Sequence, residues 1–221
     1  MIPTLFLGVV LSGIIPFDQQ WHAWQGKPEG VQRLVQEARV LYYWGEADTA
    51  LSREKWIAGR QKAEEAKKIS PKDPGAILWW TANVGAMARE DRNFSALKKI
   101  KEIEMELLNL KKMDPGFGFA AADRVLGKLY EEAPRFISIG STSDAEAHLK
   151  DALRLAGDFP GNRLAWIEFL VSEEKWDDVR REIDSLKARG WGGEFGDFNP
   201  EKREWPLRLE KAEKSLGGER T

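Results

Sequence analysis

The chain has 221 residues, with 34 Lys and Arg, 36 Asp and Glu and a formal net charge of -2. This length suffices for one domain with a sizeable core or for a short array of repeats, and the near balance of charge argues against binding to nucleic acid or to an anionic membrane surface. The absence of Cys excludes disulfides, thiolate metal sites and Cys nucleophiles, and the two His residues, His22 and His148, lack zinc-binding spacing. We therefore expect no metal and no cofactor.

An apolar run at residues 4–17 stands at the start of the chain. It is shorter than the ~20 residues of a membrane-spanning helix and agrees with the roughly 7–15 residues of a signal-peptide core. We therefore predict that residues 1–20 are a signal peptide or a hydrophobic anchor, which would place the protein in the periplasm or otherwise outside the cytoplasm. However, no Lys or Arg precedes the run and no Ala-x-Ala cleavage site follows it. The alternative is a buried first element in a cytoplasmic protein.

Beyond residue 20, apolar residues recur at helical spacing almost throughout. No segment alternates with period two, as a strand would, so we predict an all-α fold in one domain over residues 21–217. The predicted helices span residues 31–45, 52–68, 75–90, 95–112, 118–132, 144–156, 162–173, 176–188 and 201–216.

Proline-containing stops separate successive pairs of these helices. The stretches "ISPKDP", "KMDPGF" and "AGDFPGN" each close one helix and open the next. A regular succession of paired amphipathic helices indicates a helical-repeat array.

The pair of helices around residues 118–156 resembles a tetratricopeptide repeat. Leu126, Gly127 and Tyr130 in "LGKLY" match the Leu-Gly-x-x-Tyr signature of the first helix, and "AEAHLKDA" supplies the small residues of the second. Small residues allow the two helices of a repeat to approach closely. The resemblance implies a helical superhelix with an uncovered concave groove.

The repeats are unequal in length. Equivalent positions in the second helices, at Gly59, Ile103, Ala145 and Val179, are separated by 44, 42 and 34 residues, whereas the standard repeat has about 34. The longer units therefore carry insertions, and Ile103 and Val179 are larger than the family prefers. We predict an irregular tetratricopeptide-like helical-repeat superhelix with a C-terminal capping helix.

A narrower resemblance covers residues 79–162. The order of "WWTANVGA", "MDPGFG", "ADRVLGKLY", "APRFISIGS" and "DFPGN" resembles divergent tetratricopeptide proteins of the bacterial cell envelope. These are related to the T-component proteins of TRAP solute transport and, more distantly, to regulators of microtubule dynamics. The resemblance implies an exported binding protein. Its partner would be a protein, a peptide or a small hydrophobic or anionic solute, and its N-terminus could tether it to a membrane. The rival is an enzyme with an unrecognised site, and the two His and the absence of Cys argue against it.

The segment "APRFISIGSTSD" is longer than a helix hairpin requires. Phe136 and Ile139 are too apolar for a loop that only contacts solvent, and Ser143 with Glu146 has the pattern of a capping box for the next helix. One interpretation is a structural cover that buries Phe136 and Ile139 over the end of the superhelix. The other is a lid or wall of a cavity.

Polar residues among aromatic ones mark the predicted binding surface. Arg124 would either form a salt bridge within the stack or bind an anion in the groove, and Asn83 would either pack between repeats or orient a ligand in an aromatic pocket. The alternative function is a structural adaptor without a ligand pocket. The predicted binding residues are Trp79, Trp80, Asn83, Arg124, Tyr130, Phe136, Ser138, Ile139 and Ser141.

Two further features complete the predictions. His148, beside Glu146, has no Ser or Asp partner that the sequence identifies, so we expect a hydrogen-bonding role rather than catalysis. The predicted helix 201–216, which contains Trp205, is expected to cap the array, with Trp191, Phe195 and Phe198 beneath it. The alternative is a detachable helix that docks on a partner.

Overall fold

The computed structural model describes residues 29–91, 94–191, 202 and 204–218. These residues contain nine α-helices and no strand. The predicted residues 4–17, Phe195 and Phe198 lie outside the described residues. The helices are α1 (Gly30–Ala47), α2 (Ser52–Ile69), α3 (Pro74–Asp91), α4 (Phe94–Met113), α5 (Phe117–Glu132), α6 (Thr142–Ala156), α7 (Pro160–Ser172), α8 (Trp176–Arg189) and α9 (Trp205–Gly218).

The helices form two layers. Each helix packs against the next one in the chain, and α1, α3, α5, α7 and α9 also pack against one another in that order. The odd-numbered helices therefore form an inner layer, and the even-numbered helices form an outer layer. The all-α prediction of an irregular tetratricopeptide-like superhelix is confirmed.

The close approach predicted for α5 and α6 is present. A Cβ atom added to Gly127 would lie 2.5 Å from Leu149 Cγ and 3.3 Å from the carbonyl oxygen of Ala145. Ala145, Leu149 and Ala152 are all fully buried on α6. Glycine at position 127 therefore sets the spacing between the two helices of this repeat.

The first turn of α5 is left-handed. Gly118, Phe119 and Ala120 have φ angles of 57°, 59° and 57°, so the right-handed helix begins only after Ala120. A left-handed conformation costs roughly 1–2 kcal/mol for each residue other than glycine. The sequence predicted an ordinary helix start at residue 118.

The loop between α5 and α6, residues 133–141, is called the elbow below. Ile139 packs partly buried against the main core, but Phe136 is fully exposed, at 101% of its reference area. The prediction that the elbow buries both side chains is therefore wrong for Phe136. Its backbone is folded tightly on itself, and the NH of Ser138 donates to the carbonyl of Pro134 at 3.0 Å.

The helix after the elbow begins two residues earlier than predicted. The Oγ of Ser141 caps α6 by accepting a hydrogen bond from the NH of Asp144 at 3.2 Å. The predicted capping box of Ser143 and Glu146 is wrong, because the Glu146 carboxylate instead accepts from Lys150 at 2.6 Å and from Lys175 at 3.4 Å.

The helix α9 closes the C-terminal end of the array, as predicted. Trp205 is 1% exposed, and Leu209 and Ala212 are also buried against the main core. Trp191 stacks on Trp205 with ring centroids 5.9 Å apart. Among the described helices, none is long and apolar enough to cross a membrane.

Candidate binding groove

A groove of about 670 Å³ runs along the inner layer. It is lined mainly by side chains of α1, α3 and α5, and it reaches Phe159 and Arg208 near the C-terminal end. We call it the concave groove. Aromatic rings line it at two places, and each place carries an arginine.

The first place, the Trp79 cluster, joins α1 to α3. The ring of Trp79 lies 5.9 Å from that of Tyr42 and 5.6 Å from that of Tyr43, measured between centroids. The guanidinium of Arg39 lies over the Trp79 ring at 5.7 Å. Three aromatic side chains and one positive charge thus meet in the groove. The sequence identified only Trp79 of these three, because an aromatic residue at helical spacing, such as Tyr42, gives no sign of whether it faces a core or a groove.

The second place, the Phe119 cluster, is built on the left-handed turn of α5. The ring of Phe119 is 43% exposed and stacks on Phe159, with centroids 4.6 Å apart and planes within 9°. The guanidinium of Arg124 lies 4.9 Å from the Phe159 ring centroid. Left-handed residues other than glycine persist only where surrounding contacts hold them, and they are frequent at ligand sites.

Hydrogen bonds hold this turn in place. The carbonyl of Phe119 accepts from Arg124 Nη1 at 3.2 Å and from Asn162 Nδ2 at 3.0 Å. Arg124 Nη1 also donates to Asn162 Oδ1 at 2.9 Å, and Asn162 is fully buried. Arg124 therefore positions the turn while its guanidinium lines the groove. The sequence left a salt bridge or an anion site open for Arg124, and these hydrogen bonds of its Nη1 are to a carbonyl and an amide oxygen.

Charges of both signs also line the groove. Arg89 donates to Glu46 at 2.6 Å, and Lys128 Nζ lies 2.8 Å from Glu131 and 3.8 Å from Glu132. Burial alone would lower the pKa of Arg89, but the charges of Tyr42, Glu46 and Glu132 outweigh burial, so the pKa is raised. The groove is therefore electrostatically mixed rather than strongly cationic.

The other predicted residues of the inner helices point elsewhere. Trp80 lies against α2, where its Nε1 donates to Glu64 at 3.4 Å and Lys67 lies 4.7 Å from its ring centroid. Tyr130 donates its OH to Glu104 at 2.6 Å. The concave groove is therefore lined by Trp79 and Arg124 but not by Trp80 or Tyr130.

Asn83 serves packing between helices, which is the alternative that the sequence left open. It is fully buried, and its Nδ2 donates to the carbonyls of Ala38 at 3.2 Å and Trp79 at 2.7 Å. A Cβ atom at Gly59 would lie 2.2 Å from Asn83 Oδ1. Asn83 thus joins α1, α2 and α3 and does not line the groove.

The predicted elbow residues do not border the concave groove. None of Phe136, Ser138, Ile139 and Ser141 is among its lining side chains. The elbow instead contributes Ala133, Pro134 and Ile137 to a second hollow of about 600 Å³, enclosed with α3, α4 and α5. A role of the elbow in binding would therefore involve this second hollow.

A buried ionic network, which sequence reasoning missed, joins α4, α5 and α6. Asp123 is fully buried, and its Oδ1 lies 2.7 Å from Lys111 Nζ and 2.6 Å from His148 Nδ1. The hydrogen-bonding role expected for His148 is therefore confirmed, with Asp123, which the sequence did not identify, as its partner. Lys111 also bonds Asp151 at 2.9 Å, and this hydrogen bond lowers the pKa of Asp151.

This network has the features of a structural connection. The ring of Tyr130 stacks on that of His148, with centroids 5.5 Å apart. Burial lowers the pKa of Lys111, but hydrogen bonds to Asp123 and Asp151 outweigh burial and raise it overall. The described residues contain no group of three or more His, Asp or Glu side chains that could hold a metal ion.

Comparison with known proteins supports the fold. No protein-family model matches the chain, and no curated protein matches it in sequence. Among solved structures, it is similar to the crystal structure of TTC0263, a thermophilic TPR protein of Thermus thermophilus, with a TM-score of 0.65. The sequences are 17% identical, and the match covers 89% of this chain and 90% of the other. The layered helices and this similarity together show that the chain has a tetratricopeptide-like fold.

Proposed function

We propose that the concave groove binds an extended segment of a partner protein. The observation that carries this proposal is the pair of aromatic clusters along one groove, each with an arginine. Helical-repeat folds are typical of interaction scaffolds rather than of enzymes, because their stacked helices form an extended concave surface.

The two clusters specify the chemistry of the bound segment. Flat aromatic faces favour apolar or aromatic side chains, and such contacts contribute about 0.5–1.5 kcal/mol beyond area burial. Guanidinium groups bind main-chain carbonyls and carboxylates. We therefore expect a segment with two apolar side chains, one for the Trp79 cluster and one for the Phe119 cluster, and with oxygen acceptors that Arg39 and Arg124 can contact.

Replacement of Trp79 by Ala tests this proposal. The full chain would be used to select binders from a phage-displayed library of random peptides, and the affinity of a selected peptide would be measured by calorimetry. Trp79→Ala should weaken binding at least about tenfold, since aromatic residues at the centre of an interface dominate its energy.

Trp80→Ala is the matched control, because Trp80 is the next residue on the same helix but contacts α2. It should bind the selected peptide as tightly as the unchanged protein does. Equal losses in both variants, or a library that yields no binder, would refute the peptide groove.

A small organic solute is the second candidate ligand. The groove volume of about 670 Å³ lies within the roughly 300–1,000 Å³ of small-molecule pockets. Calorimetric titration with small aromatic and aliphatic carboxylic acids would distinguish the two candidates. Saturable binding that Trp79→Ala removes would favour the solute.

We also propose an envelope location, with a role accessory to solute transport as one form of the binding function. The support is the apolar run at residues 4–17 and the resemblance of residues 79–162 to envelope proteins. A reporter that is active only outside the cytoplasm, fused after residue 30, tests the location. An inactive reporter would contradict export.

A further inference from the structure

A fully exposed phenylalanine forms the tip of the elbow. Phe136 is 101% exposed and Ile137 is 66% exposed. The turn beneath them is closed by the hydrogen bond from Ser138 to Pro134, and a Cβ atom at Gly140 would lie 2.0 Å from the carbonyl oxygen of Ala133. This tightly packed backbone holds the Phe136 ring away from the core of its own chain.

The second hollow lies directly beside this tip. Its wall is mostly apolar, with Arg89 and Glu132 as its charged members, and Ile137 belongs both to the wall and to the exposed tip. The apolar part of the wall includes Ala88, Leu97, Ile100, Leu129, Ala133 and Ile137. A protruding apolar ring and an apolar hollow thus lie next to each other on one face of the molecule.

We propose that this face binds a second copy of the same chain, with Phe136 of each copy in the second hollow of the other. A two-fold rotation uses the same surface patch on both copies. Because the protruding Phe136 side chain, called the knob, and the second hollow lie side by side in this patch, one rotation can place each knob in the hollow of the other copy. The axis would pass beside Ile137, which lies between the knob and the hollow.

The charges around the patch fit this arrangement. Arg135 precedes the knob, with a side chain 59% exposed that lies 3.4 Å from Glu173 of its own chain, and Glu132 is at the rim of the hollow, with a side chain 53% exposed that lies 3.8 Å from Lys128. A rotation that carries Phe136 into the opposite hollow also brings Arg135 of one copy towards Glu132 of the other. The patch is therefore complementary to itself in charge as well as in shape.

The size of the patch indicates a weak dimer. Two phenylalanine side chains bury about 150–250 Å² each, and with a similar area of the walls that they cover the total is about 600–1,000 Å², below the roughly 1,200–2,000 Å² of stable interfaces. We therefore expect a reversible dimer that dissociates in the micromolar range.

Sedimentation velocity of the full chain over the micromolar range tests the proposal. The mass should rise with concentration from 25.1 kDa towards twice that value. Phe136→Ser should weaken the dimer about 100-fold, because it removes both equivalent contacts at about tenfold each. Leu207→Ser, which replaces a 65% exposed apolar residue on α9, should leave the dimer unchanged.

A mixing experiment tests the reciprocal geometry. Leu97→Trp fills the hollow but keeps the knob, whereas Phe136→Ser keeps the hollow, so a heterodimer of the two variants retains one intact contact. This heterodimer should be tighter than either variant's homodimer.

Charge reversal tests the contacts at the rim. Arg135→Glu and Glu132→Arg should each weaken the dimer, and the double variant should restore it. Circular dichroism of each variant would verify folding.

Three results would overturn the proposal. They are a full chain that stays monomeric over this range, equal effects of Phe136→Ser and Leu207→Ser, and a heterodimer no tighter than the homodimers. A monomeric chain whose Phe136 is needed for binding a different protein would assign the tip to that partner instead.

Discussion

At Gly127, two helices of one repeat come closer than any side chain allows. The nearest side-chain atom to an added Cβ would be Leu149 Cγ, which is not the free end of a flexible chain, so relief requires a shift of α6. Overpacking of this kind typically costs about 1–3 kcal/mol.

Gly127→Ala should therefore lower the free energy of unfolding by about 1–3 kcal/mol and the melting temperature by several degrees. Gly217→Ala in α9 is the control, because no atom lies within 4 Å of its added Cβ. It should be neutral or slightly stabilising, since Ala is the better helix former. Urea unfolding of both variants checks this prediction, and equal stabilities would contradict it.

The orientation and the backbone conformation of single groove residues could not be predicted from the sequence. Trp79 and Trp80 are neighbours, and adjacent helical residues point about 100° apart, so only one can face the groove. Which one does so depends on where α1 and α2 pack, and one helix does not encode this. The left-handed Phe119 was also beyond prediction, because residues other than glycine rarely adopt a positive φ.

At the scale of the element, α9 shows how the array ends. Its apolar stripe covers the exposed edge of α7 and α8, and Arg208 binds Glu168 of α7 through two hydrogen bonds of 2.7 and 2.8 Å. Trp205 lies edge-on to Phe159 at 5.6 Å. These contacts favour a fixed cap over the detachable helix that the sequence left open.

Trp205→Ala should release this cap. The loss of a fully buried Trp typically costs about 3–5 kcal/mol, and the amides of α9 should then exchange hydrogen as fast as those of an unfolded end. Leu207→Ala on the exposed side of α9 should change stability by no more than about 0.5 kcal/mol. Hydrogen exchange measured by mass spectrometry checks both. Rapid exchange of α9 in the unchanged protein would show that the helix is detachable.

The helices themselves were predictable because their stripes are long and their stops contain proline. The elbow was not, since apolar residues in a loop suggest burial, whereas Phe136 is exposed. Hydrophobicity along the sequence does not distinguish an apolar loop residue that packs into the core, such as Ile139, from one that is exposed, such as Phe136.

At the scale of the whole molecule, ionic contacts join helices that are one or two apart in the chain: Lys99 of α4 binds Asp91 of α3, Lys111 of α4 binds Asp151 of α6, and Arg208 of α9 binds Glu168 of α7. Asp91, Glu146 and Asp151 have pKa values below the ordinary ones because Lys99, Lys150 and Lys111 donate hydrogen bonds to them. Burial raises the pKa of Glu168, but Arg208 outweighs burial and lowers it.

Stability should therefore fall in acid. A carboxyl group with a lowered pKa binds fewer protons folded than unfolded, so its contribution is full above the ordinary values of 3.8 and 4.5 and is lost as the pH falls through the folded pKa. Above about pH 5, these carboxyl groups should cause little change in the free energy of unfolding. Below about pH 4, their protonation should lower it. Urea titrations across this range check the drop, and Asp151→Asn should make it shallower. A flat profile would contradict these pKa directions.

The side chain of Asn162 has a consequence for how the two layers communicate. Its Nδ2 donates to the carbonyl of Phe119, a residue that lines the groove, and also to the carbonyls of Ala152 and Ala156, at 3.1 and 2.9 Å, at the end of α6. A single amide thus connects the wall of the groove to the outer layer. If a bound ligand displaces Phe119, we expect the stability of the last turn of α6 to change, and because thermodynamic linkage is reciprocal, a change at that turn would then alter affinity in the groove to the same degree.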